Sequence, residues 1–295
     1  MIAMNKVVVV GVLCLSAFTA WACSKGDGKN EVPQDPILTY FPNEVKAPLG
    51  STCFAGAYYR KCVSSFDLWL GITGKVVLPK ITFDPNRTNP SKPGQFLDNP
   101  SVYVGGNASG QETDIGLTWE VIRDDKGNVT QDRRAFRPFL RRTGYVPTGQ
   151  TALYENAPAQ PEYYWYQGDT VTITLKLVAS GVLHLAIEGK GKKYERDFQC
   201  DGYQQGVAMQ FKRVNAIDQV ANEGKPAQPT IAKVDGSRWF FTRLLRSYQG
   251  QVVEAPMHTG RFTDMRCPNL KFFSIRSNDD EKRIGAEEIT IDGSK

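Results

Sequence analysis

The chain has 295 residues, is 41% hydrophobic, and sets 36 Lys and Arg against 31 Asp and Glu for a formal net charge of +5. That apolar content is enough for a packed core, and the length suits one large β-domain or two small ones. So small a net charge at this size argues against a dedicated nucleic-acid binder.

Met1 to Lys6 carries one cation, and Val7 to Thr19 is an apolar run ending at Ala20-Trp21-Ala22-Cys23. A run of this length is too short to span a bilayer comfortably. It reads as the apolar region of a signal peptide over residues 1–22, with Ala-x-Ala before the cut. The cysteine after that cut resembles the lipobox of bacterial lipoproteins, whose thiol is acylated before the leader is removed. The resemblance implies lipidation at Cys23 and a membrane partner reached through that lipid, at the outer membrane or cell surface. Ordinary cleavage before Cys23 is the open alternative. Residues 23–49, spaced by Pro33, Pro36, Pro42 and Pro48, read as a flexible tether.

One β-domain is expected from residue 50 to 295. Without Cys14 and Cys23, four cysteines are left, Cys53, Cys62, Cys200 and Cys267, an even set that fits an exported protein. Three connectivities are possible. Cys53 with Cys62 and Cys200 with Cys267 is the expected pairing, because the first pair would staple one hairpin. A zinc site from the same four is disfavoured, since there is no Cys-x-x-Cys and the only histidines are His184 and His258.

In chain order, Ile115, Leu117, Trp119 and Val121 alternate with polar residues as in a half-buried strand. Val171, Ile173, Leu175 and Leu177 then alternate with Thr170, Thr172, Thr174 and Lys176. Ser180-Gly181 turns the chain, and Leu183, Leu185 and Ile187 return it as an antiparallel hairpin. Shorter alternations follow at Val207, Met209 and Phe211 and at Ile289 and Ile291. Turns are expected at Gly105 to Gly110, Asp125 to Asn128, Lys190-Gly191, Asp201-Gly202 and Asp235-Gly236. Two long irregular stretches, 84–100 and 143–161, are candidates for functional loops. No segment has a long helical period.

Val102-Tyr103-Val104-Gly105-Gly106, Gly116-Leu117-Thr118-Trp119, Phe136-Arg137-Pro138-Phe139 and Tyr166-Gln167-Gly168-Asp169-Thr170-Val171 follow one another in an order that resembles concanavalin-like sandwiches of the lectin, glucanase and glutamic-peptidase kind. The resemblance implies an all-β fold, a two-sheet antiparallel sandwich of concanavalin-like jelly-roll type. Its peptidase chemistry does not carry over. That family needs a Gln and a Glu facing each other, but Asp114 stands where the Gln belongs and the strand Met209 to Asn215 holds no acid.

Tyr163-Tyr164-Trp165-Tyr166 is the most unusual local composition, and aromatic faces of this kind stack on sugar rings. Tyr164, Trp165 and Tyr166, with the acids Asp114 and Glu188, are therefore the candidate ligand-binding residues. Core packing of alternate aromatics is the competing account of the run. Arg133, Arg134, Arg137, Arg141 and Arg142 form a basic run whose alternation with Phe136 and Leu140 fits a solvated strand face. There is no Ser-His-Asp or Cys-His logic, no Gly-rich phosphate loop and no cofactor motif, so the residues lean away from an enzyme and imply no cofactor or metal. The function expected is an exported binding module for a glycan. The alternatives are a hydrolase or lyase working on extracellular polymer through Asp114 and Glu188, and an adhesin-like structural protein.

Overall fold

The computed structural model describes residues 35–123 and 129–295, apart from the side chains between 121 and 134. The expected signal peptide, Cys23, the expected turn at Asp125 to Asn128, and the side chains of Arg133 and Arg134 lie outside the described residues. Sixteen strands are present among the described residues: β1 (Ala57–Ser64), β2 (Trp69–Val77), β3 (Lys80–Thr82), β4 (Asp98–Ala108), β5 (Gln111–Arg123), β6 (Val129–Arg142), β7 (Leu153–Asn156), β8 (Thr170–Ala179), β9 (Val182–Gly189), β10 (Lys192–Gln199), β11 (Met209–Gln219), β12 (Lys233–Tyr248), β13 (Gln251–Pro256), β14 (Phe262–Cys267), β15 (Phe273–Arg276) and β16 (Glu287–Asp292). A five-residue helix, α1 (Asp279–Arg283), is capped by Asn278 and Glu281.

The strands form two antiparallel sheets, as expected of a sandwich. One has seven strands in the order β14-β1-β11-β4-β5-β6-β7. The other has nine, running β10-β9-β8-β2-β12-β16-β15 with β3 and β13 added against β12. Alternation decides the core: Val102 and Val104 of β4, Ile115 and Leu117 of β5, and Phe136 and Leu140 of β6 point inward. They meet Ile72 and Val76 of β2, Ile173 and Leu175 of β8, and Leu185 and Ile187 of β9. Each such side chain removed from water contributes about 1.5–3 kcal/mol.

The β8–β9 hairpin turns at Gly181, whose φ of 76° suits a residue without Cβ. Two expected turns are placed differently. Gly105 and Gly106 lie inside β4, and the reversal comes at Ser109 and Gly110, both with positive φ. Asp235-Gly236 lies inside β12 at a bulge, where the register against β16 shifts between Val234 and Ser237.

The described residues from Asp35 onward already belong to the packed unit, ahead of residue 50, so the second half of the expected tether is fixed. Phe41 enters the core, and Glu44 forms a doubly hydrogen-bonded ion pair with Arg261 at 2.7 and 2.9 Å, both side chains 1% exposed. The Val45 amide donates to Asp67, and Thr263 donates to the Pro48 carbonyl.

The expected disulfides are also corrected. Cys53 bonds Cys267, with Cα atoms 5.8 Å apart, while Cys62 and Cys200 are free and buried. Strand parity is the reason. Cys62 shares the inward phase of β1 with Tyr58 and Arg60, whereas Cys267 pairs in register with the outward-facing Tyr59. Cys200 lies on the core side of the loop after β10, with its Sγ 3.3 Å from Gln111 Oε1.

Candidate functional site, a cleft on the seven-stranded sheet

The outer face of the seven-stranded sheet is built as rows that cross its strands. In one row the pairing runs Met265, Lys61, Val214, Tyr103, Gly116, Phe139 and Asn156. In the next it runs Thr263, Val63, Lys212, Gly105, Asp114, Arg141 and Tyr154. A glycine in each row allows side chains two strands apart to meet. A Cβ on Gly105 would lie 2.6 Å from Asp114 Oδ1 and 3.0 Å from Lys212 Cε, and through that gap Lys212 Nζ comes within 2.8 Å of Asp114 Oδ1. Gly116 leaves room for Tyr103 in the same way, and the Tyr103 ring packs edge-on to Phe139 with centroids 5.7 Å apart.

Two cavities open on this face, of about 320 Å³ and about 490 Å³. Tyr103, Asp114 and Asp218 line both. The smaller is polar, walled by Ser101, Thr118, Glu120 and Arg141 and bounded by Lys92 and Gln95 of the irregular stretch 84–100. Arg87 pins that stretch through Asp98 at 2.9 Å, and Phe83 stacks on Phe96 with centroids 4.3 Å apart. The larger cavity is walled by Phe54, Ala57, Tyr59, Lys61, Val214 and Lys212.

The charges in the cleft are shaped by partial burial. Desolvation raises the Asp114 carboxyl above its ordinary value even though Lys212 pulls it down. Burial would lower Lys212, but the carboxylates of Asp114 and Glu112 outweigh it and hold the ammonium protonated. Burial pushes Asp218 up to about 6, opposed by the Ser101 hydroxyl that donates to it at 2.6 Å. Burial, then the carboxylates of Asp114 and Asp218, hold the Tyr103 phenol well above its usual range. Burial and the neighbouring Lys212 lower Lys61. A cleft that shifts this many groups is a candidate functional site on physical grounds.

The residues chosen from sequence are scattered by the fold. Asp114 lies in the cleft. Glu188 lies on β9 of the other sheet, pairing with Thr172 on its outer face, so the two carboxylates do not share a groove and the hydrolase or lyase reading through that pair is overturned. Trp165 is 0% exposed in the core and donates its indole N–H to the Gly189 carbonyl, and Tyr164 is buried beside Ala135. The aromatic run is thus mainly structural, with Tyr166 alone of the three exposed, at 43%. Arg137 and Arg141 face outward, opposite the buried Phe136 and Leu140, as alternation requires; Arg137 holds Glu120 at 2.5 Å.

Tyr59, Lys61, Tyr103, Lys212 and Asp218 were missed as site residues. Their period-two phase on β1, β4 and β11 is present in the sequence, but on β11 the apolar partners of the opposite phase, Met209 and Phe211, dominate the pattern. Which phase faces a cleft is a property of the neighbouring strands.

No protein family's sequence model matches the chain, and neither does any curated protein. Among solved structures the chain is similar to scytalido-glutamic peptidase with a transition state analog inhibitor, at 8% identity over 79% of this chain and 97% of that one, with a TM-score of 0.49. It is similar to the enzymatically active domain of tailspike protein 2 of bacteriophage CBA120, at 13% identity over 64% of this chain and 24% of that one, with a TM-score of 0.33. It is also similar to the CBM2 module of the evolved Dit of Lactobacillus casei BL23 phage J-1, at 11% identity over 64% and 87% respectively, with a TM-score of 0.31.

Proposed function

We propose that the protein is exported, held to a membrane through an acylated Cys23, and binds a glycan in the cleft on its seven-stranded sheet. The carrying observation is that two cavities meet at one aromatic side chain, Tyr103, the smaller lined mainly by hydrogen-bonding groups and the larger by aromatic and apolar groups interleaved with charged ones. Sugars are gripped by this combination, an aromatic face for the ring and polar groups for the hydroxyls. Tyr103 takes the role that sequence had suggested for Trp165. Affinity electrophoresis against a panel of extracellular glycans tests the reading: a bound glycan whose affinity falls at least tenfold in Tyr103→Ala and is unchanged in Tyr166→Ala supports it, and absence of any bound glycan removes it. Mass spectrometry of the mature N-terminus tests the anchor.

A second reading has one observation in its favour, a carboxyl in the cleft held to about 6, where a proton donor for hydrolysis at mildly acid pH would be tuned. Asp218 would be that donor. The cleft's other shared acid, Asp114, is already paired with the Lys212 ammonium at 2.8 Å. Glycoside hydrolysis needs a second free carboxylate, and this one is committed to an ammonium, so the binding reading is the stronger. Release of reducing ends from the bound glycan, lost in Asp218→Asn, would reverse that order.

A further inference from the structure

We infer that the ligand of this cleft carries a carboxylate and that Lys61 receives it, so that the glycan is of the acidic, uronic-acid class. This rests on the binding reading above and narrows its ligand.

The cations of the cleft differ in how far they are already satisfied. Lys212 is 2.8 Å from Asp114 and 3.9 Å from Glu112. Arg141 donates to the carbonyls of Leu140 and Glu155 and to Asn156, and lies over the rings of Phe139 and Tyr154. Arg137 holds Glu120. Lys61 is the exception: among the described residues its ammonium makes no ion pair and no hydrogen bond. It is half-buried on β1, between Met265 and Val214 in the row that leads to Tyr103. Three donors with no acceptor among the described residues can be satisfied by an anion. The same surroundings lower its proton affinity through burial and the adjacent Lys212, a penalty that an anion placed there would reverse.

The acids nearby do not fill that role. Asp114 and Glu112 are engaged by Lys212. Asp218 pairs in register with Ala57, four residues from Lys61 along β1, and accepts from Ser101.

The cavity beside Lys61 is about 490 Å³, large for a free inorganic anion; Tyr59, Tyr103, Ala57 and Val214 wall it, and the acids Glu112, Asp114, Asp218 and Glu223 line it too, so an anion is accepted only at Lys61 itself. A carboxylate attached to a ring fits that division, with the anion at Lys61 and the ring against the aromatic and apolar walls. The Tyr59 hydroxyl accepts the Phe54 amide at 2.6 Å, so its own proton is available to a ligand oxygen.

The test is isothermal titration of the full chain with polygalacturonate, its carboxyl-reduced counterpart and dextran sulfate. We expect polygalacturonate to bind at least tenfold more tightly than the reduced polymer. Lys61→Met should abolish that difference, and Lys61→Arg should restore most of it. The Lys61 pKa, followed by NMR of the ¹³C-methylated amine, should rise when polygalacturonate is added. Equal binding of the two uronate-derived polymers, tighter binding of dextran sulfate, or an unaltered preference in a folded Lys61→Met overturns the inference and leaves the glycan reading standing. Binding of no glycan at all, by a protein with an intact thermal transition, overturns both.

Discussion

Gly105 shows how one missing Cβ can organise a site. A methyl group there would lie 2.1 Å from the Thr113 carbonyl oxygen, which is backbone and cannot swing aside. Gly105→Ala should therefore destabilise the fold by about 1–3 kcal/mol through overpacking, measured as a shift of the urea midpoint at constant slope. Asp218 makes a different prediction. Its carboxyl is raised from 3.8 to about 6, so between those values the folded state holds a proton that the unfolded state has lost. Stability should then fall as pH rises from about 4 to about 6, with the full cost present above that window. Asp218→Asn keeps an acceptor for Ser101 and removes the charge. It should stabilise the protein at pH 8 by on the order of 1–2 kcal/mol, allowing for partial exposure, and have little effect at pH 4. Denaturant titration at the two pH values checks the sign. Of these two residues, sequence marked only the glycine, and as a turn, because Gly-Gly is a turn signal until the flanking register is known.

At the scale of elements, one buried ion pair is a principal anchor of the segment from Asp35 to Gly50, beside Phe41 and the Val45 and Pro48 hydrogen bonds. Glu44 and Arg261 satisfy each other, and the guanidinium also donates to the carbonyls of Ile37, Thr39 and Pro256. Removing one partner leaves an uncompensated buried charge, so Glu44→Ala should cost about 3–5 kcal/mol. It should also open the segment to limited proteolysis between Asp35 and Gly50 before the sandwich itself is cut. Sequence read this segment as tether because its prolines continue the spacing of the apolar-poor stretch before it. Phe41 and Glu44 become anchors only because Arg261, far along the chain, is folded beside them. The β8–β9 hairpin was legible in full, since period-two alternation and a Ser-Gly turn are local signals. The glycine in β12 was read as a turn because a bulge and a reversal share the same positive-φ requirement.

Over the whole molecule, the Cys53–Cys267 bond closes a span of 214 residues and joins the segment before β1 to the edge strand β14 beside the larger cavity. The chain-entropy relation gives roughly 5 kcal/mol for a loop of that size. The double variant with Cys53→Ser and Cys267→Ser should lose stability on that order, read from the denaturant midpoint. Alkylation of unfolded, unreduced protein should label Cys62 and Cys200 and spare the other two. Sequence by itself determined the β class, the alternating core faces, the long hairpin and the buried side of the arginine-rich strand, because each follows from a period carried by neighbouring residues. The tertiary structure alone decided which cysteines meet, that the segment from Asp35 to Gly50 is packed, that Trp165 serves the core, and that Lys61, Tyr103, Asp114 and Asp218 share one cleft. Those depend on strand order and register between distant segments, and the sheet order β14-β1-β11-β4-β5-β6-β7 brings residues more than 150 positions apart side by side.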